Sequence, residues 1–391
     1  MAKRRSIPCT LHFVTMTAGV VLATTFYSPV AAAQPVISAA GAIESTSGGF
    51  LFPDGTLQAT AAHMPLVVVP DDVADPVAAV AGLTAGGTVF VRAQTSCYSL
   101  SDMIHIDRSH VSLIGEEGAC LRLADHVNRP VILIGSSSET VPPAERIFDV
   151  SVRGLRVDGN RQNQDQEDAV GLPNVKNNAV GVRGAERVHL ERLTLSDARS
   201  GGLVISQQAS KVFVEEVVLS GNTFDGLAID GASEVFVEHF VAEDNSFSGV
   251  SVDTGTARVQ IRDGLIQRNG DNGVFIRYAS ESSFSDLTIV DNCGYGVFAS
   301  HASASGGEGL VEIDFADLRI FRNGNAGFSF ATTQAEGSFD NFLTDSRIAG
   351  NAGAGSGDEV LGISTNPAIT TQGNTVTSFR TDGPTHLTCT S

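Results

Sequence analysis

Gly226-Leu-Ala-Ile-Asp-Gly-Ala-Ser-Glu-Val-Phe-Val-Glu-His-Phe-Val-Ala-Glu-Asp-Asn-Ser-Phe-Ser248 is one period of a repeat, and its reading decides the fold. It opens on a glycine and alternates apolar and outward positions through Leu227-Ala228-Ile229. The alternation returns at Val235-Phe236-Val237 and again around Phe240-Val241-Ala242. A period of two marks a strand with one buried face, so Leu227, Ile229, Val235 and Val237 point to one interior. Equivalent openings occur at Ala179, Gly202, Gly226, Gly249, Gly273, Gly296 and Gly327, spaced by 23, 24, 23, 24, 23 and 31 residues. An asparagine stands four residues before six openings: Asn222, Asn245, Asn269, Asn292, Asn323 and Asn351, the last preceding Gly355. Three residues before each asparagine is an apolar position: Leu219, Ala242, Ile266, Ile289, Ile320 and Ile348. Landmarks that keep step in this way describe stacked coils, a solenoid. With three short strands per coil, the class is all-β, a parallel β-helix with a dry aliphatic column. The asparagines suit turns that need left-handed backbone, and their amides can bond coil to coil. A helical or leucine-rich repeat does not fit, because no stretch carries the helical period.

Upstream the same grammar is less regular. Val150-x-Val152 and Leu155-x-Val157, then Asp158-Gly159-Asn160, match Val212-x-Val214 and Val217-x-Leu219, then Ser220-Gly221-Asn222. Between Asn160 and Ala179 lies a polar insertion, Arg161 to Asn178, which holds Asp165, Glu167 and Asp168. A loop that long is functional or mobile. Asp75-Pro76 followed by Val77 to Leu83 predicts a short helix with Asp75 as N-cap, placed to cover the open end of the solenoid. The expected organisation is a signal peptide at 1–33, a linker with a hairpin at 34–65, the β-helix at 66–354 and a C-terminal cap or tail at 355–391.

The chain has 391 residues and a net charge of -19. Nucleic acid and anionic membranes both require a basic surface, so neither is an expected partner. Lys3-Arg4-Arg5, an apolar stretch from Leu11 to Val30 and Ala31-Ala32-Ala33 read as an export signal, which predicts a secreted protein, extracellular or periplasmic, with no membrane insertion. Cys9 leaves with that signal. Cys97, Cys120, Cys293 and Cys389 remain, an even number that an oxidising compartment can pair. Cys97 and Cys120 lie about one coil apart and suit a bridge; four separate buried thiols are the other arrangement. No CxxC spacing suggests zinc, and no glycine-rich run follows a strand-to-helix pattern, so no organic cofactor is expected.

The Asp75–Leu83 helix, Gly86-Gly-Thr-Val-Phe-Val91, Val111-Ser-Leu-Ile-Gly115, Val157-Asp-Gly-Asn160 and the coils together resemble the pectate-lyase-like, right-handed parallel β-helix superfamily over about Leu66 to Asn351. The resemblance implies right-handed coiling and a ligand groove over the outward face of the first strand of each coil. The superfamily includes polysaccharide lyases, glycoside hydrolases, uronan epimerases and phage depolymerases, so it implies a polysaccharide partner without naming a reaction. Its signature motifs are missing at matching places: no Trp-Ile-Asp-His, no Asn-Thr-Asp with Gly-His-Gly, no Asp-Pro-His-Asp. Ser47-Gly-Gly-Phe-Leu-Phe-Pro-Asp-Gly-Thr-Leu-Gln58 is similar to a short hairpin of phage tail-fibre and bacterial surface proteins, which would imply assembly, for instance as a trimer. An ordinary Asp54-Gly55 hairpin turn accounts for it equally well.

On the first strand the outward positions two beyond the opening are Val204, Ala228, Ser251, Phe275 and Phe298. Four beyond, they are Arg183, Ser206, Asp230, Asp253, Arg277 and Ser300; five beyond, Tyr278 and His301. Neighbouring coils are about 4.8 Å apart, so Asp230 and Asp253 should be neighbours, with Arg277 and then His301 beyond. These four are the candidate catalytic residues. Two adjacent carboxylates suit a shared calcium, since hard cations prefer oxygen, or acid and nucleophile roles in glycoside cleavage. Arg183, Phe275, Tyr278, Tyr295 and Phe298 are the candidate substrate-binding residues. The expected function is action on, or binding of, an acidic polysaccharide by a lyase, hydrolase or epimerase. The alternatives are a non-catalytic adhesive or structural rod, and a phage-like attachment module. Asp253 and Arg277 also fit a plain surface ion pair.

Overall fold

A computed structural model of the chain describes residues 44–46, 49–51, 57–58, 64–138, 146–302, 308–351, 360–364, 366–377 and 389. Met1–His63 and Met64–Ser391 form separate units. In the first, the backbone of Glu44–Thr46, Gly49–Leu51 and Leu57–Gln58 forms an antiparallel three-stranded sheet, with Phe50 opposite Gln58. The predicted signal peptide and the Asp54-Gly55 turn lie outside the described residues.

The second unit is a right-handed parallel β-solenoid. The coil that opens at Gly226 shows why. Leu227–Asp230 is a short strand, and a turn at Gly231 leads into Ser233–Glu243. That long strand bends at His239, whose φ is 53°, and the bend divides it into the Val235–Val237 and Phe240–Ala242 legs expected from the alternation. Arg192, Glu216, Asp263 and Asp286 take the same left-handed backbone one coil at a time. The short strands stack parallel into a ten-stranded sheet and the long ones into an 18-stranded sheet. Register is strict: Leu227 faces Val250, Ile229 faces Val252 and Asp230 faces Asp253. Leu227, Ile229, Val235, Val250 and Val252 are fully buried, and each such side chain removed from water contributes about 1.5–3 kcal/mol.

All six landmark asparagines are buried to 1% exposure or less. Each amide nitrogen donates to the next oxygen: Asn222 to Asn245 at 2.8 Å, then to Asn269, Asn292, Asn323 and Asn351 at 3.0, 2.9, 2.9 and 2.8 Å. Each Oδ1 of Asn245, Asn269 and Asn292 also accepts the backbone N–H of the asparagine before it, at 3.1 Å. The asparagines themselves are not left-handed. The residue before each one is: Gly221, Asp244, Arg268, Asp291, Arg322 and Gly350 have φ from 53° to 67°. That twist turns the amide into the stack, so the side chain serves the ladder and its neighbour makes the turn. The opening glycine is bound to the same contact. A Cβ on Gly249 would sit 2.7 Å from Asn269 Nδ2 and against the Cγ2 of Ile266.

Pro76–Ala81 is helical, with Asp75 capping the Val77 N–H at 3.0 Å. Ala79 and Val80 pack into the core against the first strands, among them Leu66–Val69 and Gly87–Val91. At the other end parallel pairing continues beyond Gly355: Val360–Leu361, Ile369–Gln372 and Thr375–Thr377 pair with Phe328–Ala331, Asn341–Thr344 and Arg347–Ala349. Disulfides join Cys97 to Cys120 and Cys293 to Cys389. No helix among the described residues is long and apolar enough to cross a membrane.

Asn269→Ala would remove the acceptor of the Asn245 backbone N–H and of one of its two amide N–H groups, the other keeping the Leu219 carbonyl at 3.0 Å, and would leave these two donors buried. An unpaired buried donor costs about 1–3 kcal/mol, so a loss of roughly 3–5 kcal/mol is expected in urea unfolding. A loss below about 1 kcal/mol would show that the ladder does not hold the coils together. The Cys293–Cys389 bridge spans 96 residues, and a loop of that length is worth about 4–5 kcal/mol. Cys389→Ser should lower the urea midpoint accordingly, and more than Cys97→Ser, whose bridge spans 23 residues.

Candidate functional site

The outward face of the short-strand sheet gathers most of the expected residues. Asp230 and Asp253 are register partners on adjacent coils. Arg277 lies on the next coil and grips Asp253, its Nε at 3.1 and 3.0 Å from Oδ1 and Oδ2 and its Nη2 also on Oδ2. This bond, opposed in part by burial, raises the Arg277 pKa above the usual guanidinium range. The Arg277 guanidinium lies 5.6 Å from the centre of the Phe275 ring. Phe275 stacks with Phe298 at 6.1 Å, and Phe298 with Tyr295 at 5.0 Å. Asp230 is exposed and accepts no hydrogen bond from the described residues. The pair therefore divides into one neutralised carboxylate and one open one.

Three expected residues are placed differently. The guanidinium of Arg183 is buried and already bonded at each nitrogen, to the carbonyls of Ser136, Asn174 and Ser138 at 3.0, 2.6 and 3.1 Å. It anchors backbone on both sides of the face. His301 is one residue beyond Ser300, the register partner of Arg277, and its Nε2 turns to Glu336 Oε1 at 3.5 Å. Tyr278 folds over Gly255, where an added Cβ would meet its ring at 3.3 Å.

A cleft of about 590 Å³ opens on the same face, within the size range of small-ligand sites. Arg183, Ser206 and Asp230 line it from the strands, Gln207 and Thr254 from the turns, and Asn174 and Lys176 from the 161–178 insertion. Of these only Arg183 and Asp230 were candidates from sequence. Gln207 and Thr254 belong to turns whose direction the alternation does not report, and Lys176 reaches the face through a loop that has no repeat. Lys176 is held between Glu167 and Asp168 at 3.0 and 2.7 Å, and its hydrogen bond to Asp168, ahead of the opposing effect of burial, raises its pKa.

Asp225, directly before the opening Gly226, is a titrating group that the column reading missed. Burial pushes its pKa up to about 6; the Ser248 N–H on Oδ1 at 2.9 Å opposes this and nearby Asp271 adds to it. Phe224 and Phe247 stack beside it at 4.8 Å. A carboxyl raised in the fold costs nothing below the unfolded value near 4. The cost grows as pH rises toward 6 and is complete above it, roughly 3 kcal/mol for a shift of this size. Asp225→Asn should therefore raise the Tm at pH 8 and leave it nearly unchanged at pH 4. Equal effects at both pH values would refute the shift.

Residues 150–308 match the family model described as the right handed beta helix region. No curated protein matches the sequence. Among solved structures, the A-module of the mannuronan C-5 epimerase AlgE4 from Azotobacter vinelandii is 17% identical with a TM-score of 0.50, the match covering 83% of this chain and 98% of that one. ORF18 of Geobacillus virus E2 is 13% identical with a TM-score of 0.54, covering 85% and 68%. PfbA, a surface adhesin of Streptococcus pneumoniae, is 13% identical with a TM-score of 0.51, covering 81% and 90%. Likeness at such identity concerns the fold alone. By its register, its coil geometry and these matches, the chain has the right-handed parallel β-helix fold, and residues 150–308 carry the right handed beta helix region.

Proposed function

We propose that the protein is exported and acts on an acidic polysaccharide laid along the outward face of the short-strand sheet. The observation that carries this reading is the division of labour between the two register-paired aspartates. Asp253 is neutralised by Arg277, while Asp230 stays open beside a ligand-sized cleft. Arg277 spends Nε and Nη2 on Asp253, which leaves Nη1 to meet a sugar carboxylate. A hydrogen bond from Nη1 draws charge from that carboxylate and so acidifies the adjacent C–H, the step shared by uronate elimination and epimerisation. Asp230 is then the group positioned to accept or deliver a proton. Phe275, Phe298 and Tyr295 offer an apolar platform for the sugar ring. The two disulfides suit an oxidising compartment, and the epimerase neighbour, whose name states mannuronan as its substrate, has the same fold.

Calcium fits the pair poorly. The ion takes six to eight oxygens, and Arg277 already engages both oxygens of Asp253. Of the two, only Asp230 has oxygens that accept no hydrogen bond among the described residues, so the steps above run through side chains only.

The test is a screen of the purified protein on alginate, pectate and glycosaminoglycans, with and without calcium. Ultraviolet absorbance reports elimination, reducing ends report hydrolysis and proton NMR reports epimerisation. Asp230→Asn and Arg277→Ala should each lower turnover by about 100-fold or more with the fold intact. Turnover that survives both changes would remove the site, and tight binding without turnover would make the protein an adhesive module.

A further inference from the structure

The outward face of the short-strand sheet is open over part of its length only. All four residues of Ile132–Gly135 are buried, the outward Leu133 completely, and Val180–Arg183 is buried throughout. From Leu203–Ser206 onward the outward Val204, Ala228, Ser251, Phe275 and Phe298 are half-buried. The cover is the 161–178 insertion, which is a folded hairpin. Asp168 bridges Lys176 antiparallel, and the Ala169 N–H donates to the Val175 carbonyl at 2.8 Å. Ala169 and Val175, with Leu172, close a small apolar cluster directly over Leu133.

The hairpin is fastened on several sides. Gln164 Nε2 donates to the Ala124 carbonyl at 2.9 Å, Asp165 Oδ2 accepts from Asn128 at 2.9 Å, and Arg183 holds the Asn174 carbonyl. The cleft begins where the hairpin ends. Asn174 and Lys176 face it from the hairpin and Asp230 from the floor. Gln207 at its edge keeps an Oε1 that is shielded from solvent and has no hydrogen-bond donor among the described residues.

Resting on the reading of this face as the polysaccharide site, the geometry points to a groove closed at one end. The hairpin is a terminal wall, and the protein takes the end of a glycan chain, not its interior. Arg183, Ser206 and Asp230 follow one another in register, so Asp230 lies two coil spacings, about 10 Å, from the wall. A pyranose residue in an extended chain advances by about one coil spacing, so the space accommodates about two terminal sugars. A polymer running straight through would have to pass the sealed Leu133. The end residue also carries polar groups that an interior residue lacks, and Lys176 and Asn174 are placed to meet them. A site built to bond such groups discriminates strongly against ligands without them.

The test uses the full chain and polygalacturonate or polymannuronate, as polymer and as purified oligomers from dimer to octamer, followed by calorimetric titration. If the wall is real, binding capacity at equal mass follows the concentration of chain ends: cutting the polymer about tenfold raises capacity about tenfold. Affinity should also stop rising after short oligomers. Capacity that ignores fragmentation would overturn the wall while leaving the groove. Failure of every glycan to bind would overturn the groove reading itself, and the wall with it. A second variant replaces Ala169–Val175 by two glycines and carries Leu133→Ser to offset the uncovered leucine. With an unchanged circular dichroism spectrum, it should lose its dependence on chain ends. Retained end dependence in that variant contradicts the assignment of the hairpin.

Discussion

Three residues from each coil meet at one point: the opening glycine, the asparagine of the closing turn and the apolar residue three before it. At Gly249 the missing Cβ leaves room for Asn269 and Ile266, and the Asn269 amide then reaches both Asn245 and Asn292. A larger residue at the opening would push the asparagine out of line. A shorter one at the asparagine would leave buried amides without partners, at a cost far above that of losing an exposed hydrogen bond. This contact sets the phase of each coil relative to the next. Once the phase is set, residues one period apart become vertical neighbours over the whole surface.

The candidate site is a consequence of that phase. Asp230, Asp253 and Arg277 occupy one position of the repeat, and none is near another in the chain. Stacking brings them into a column in which one charge is cancelled and the other is left open. The same stacking aligns Phe275 with Phe298 and, elsewhere on the surface, His189 with Phe213 and Phe236. A solenoid converts single outward substitutions into rows, so its function lies where a row is interrupted. Here the interruption is the hairpin over Leu133, beside which the cleft forms.

The coil was legible because its signals are local and repeated. Alternation gave Leu227 and Ile229 an inward direction, and the spacing of Asn222, Asn245 and Asn269 gave the stack. Features that depend on a single event were less legible. The left-handed residue is Asp244 instead of Asn245, because the amide is already committed to the ladder. The insertion offered no period, so its polar composition left a functional loop and a mobile one both open, whereas Ala169, Leu172 and Val175 supply just enough apolar surface to fold it onto Leu133. Arg183 shared the column of Asp230 and for that reason was grouped with ligand-binding residues. Its bonds to three carbonyls could only come from loops whose paths the sequence does not report. The coil beyond Gly355 was invisible for the opposite reason, since it keeps the pairing and drops the landmarks.

The most direct test is a diffraction structure of the protein crystallised with a short oligouronate. The account predicts a sugar on the outward face between the hairpin and Phe298, with a carboxylate in hydrogen-bond reach of Arg277 Nη1 and Asp230 facing the ring. An oligosaccharide bound on another face of the solenoid, with Asp230 and Arg277 in contact with solvent only, would contradict it.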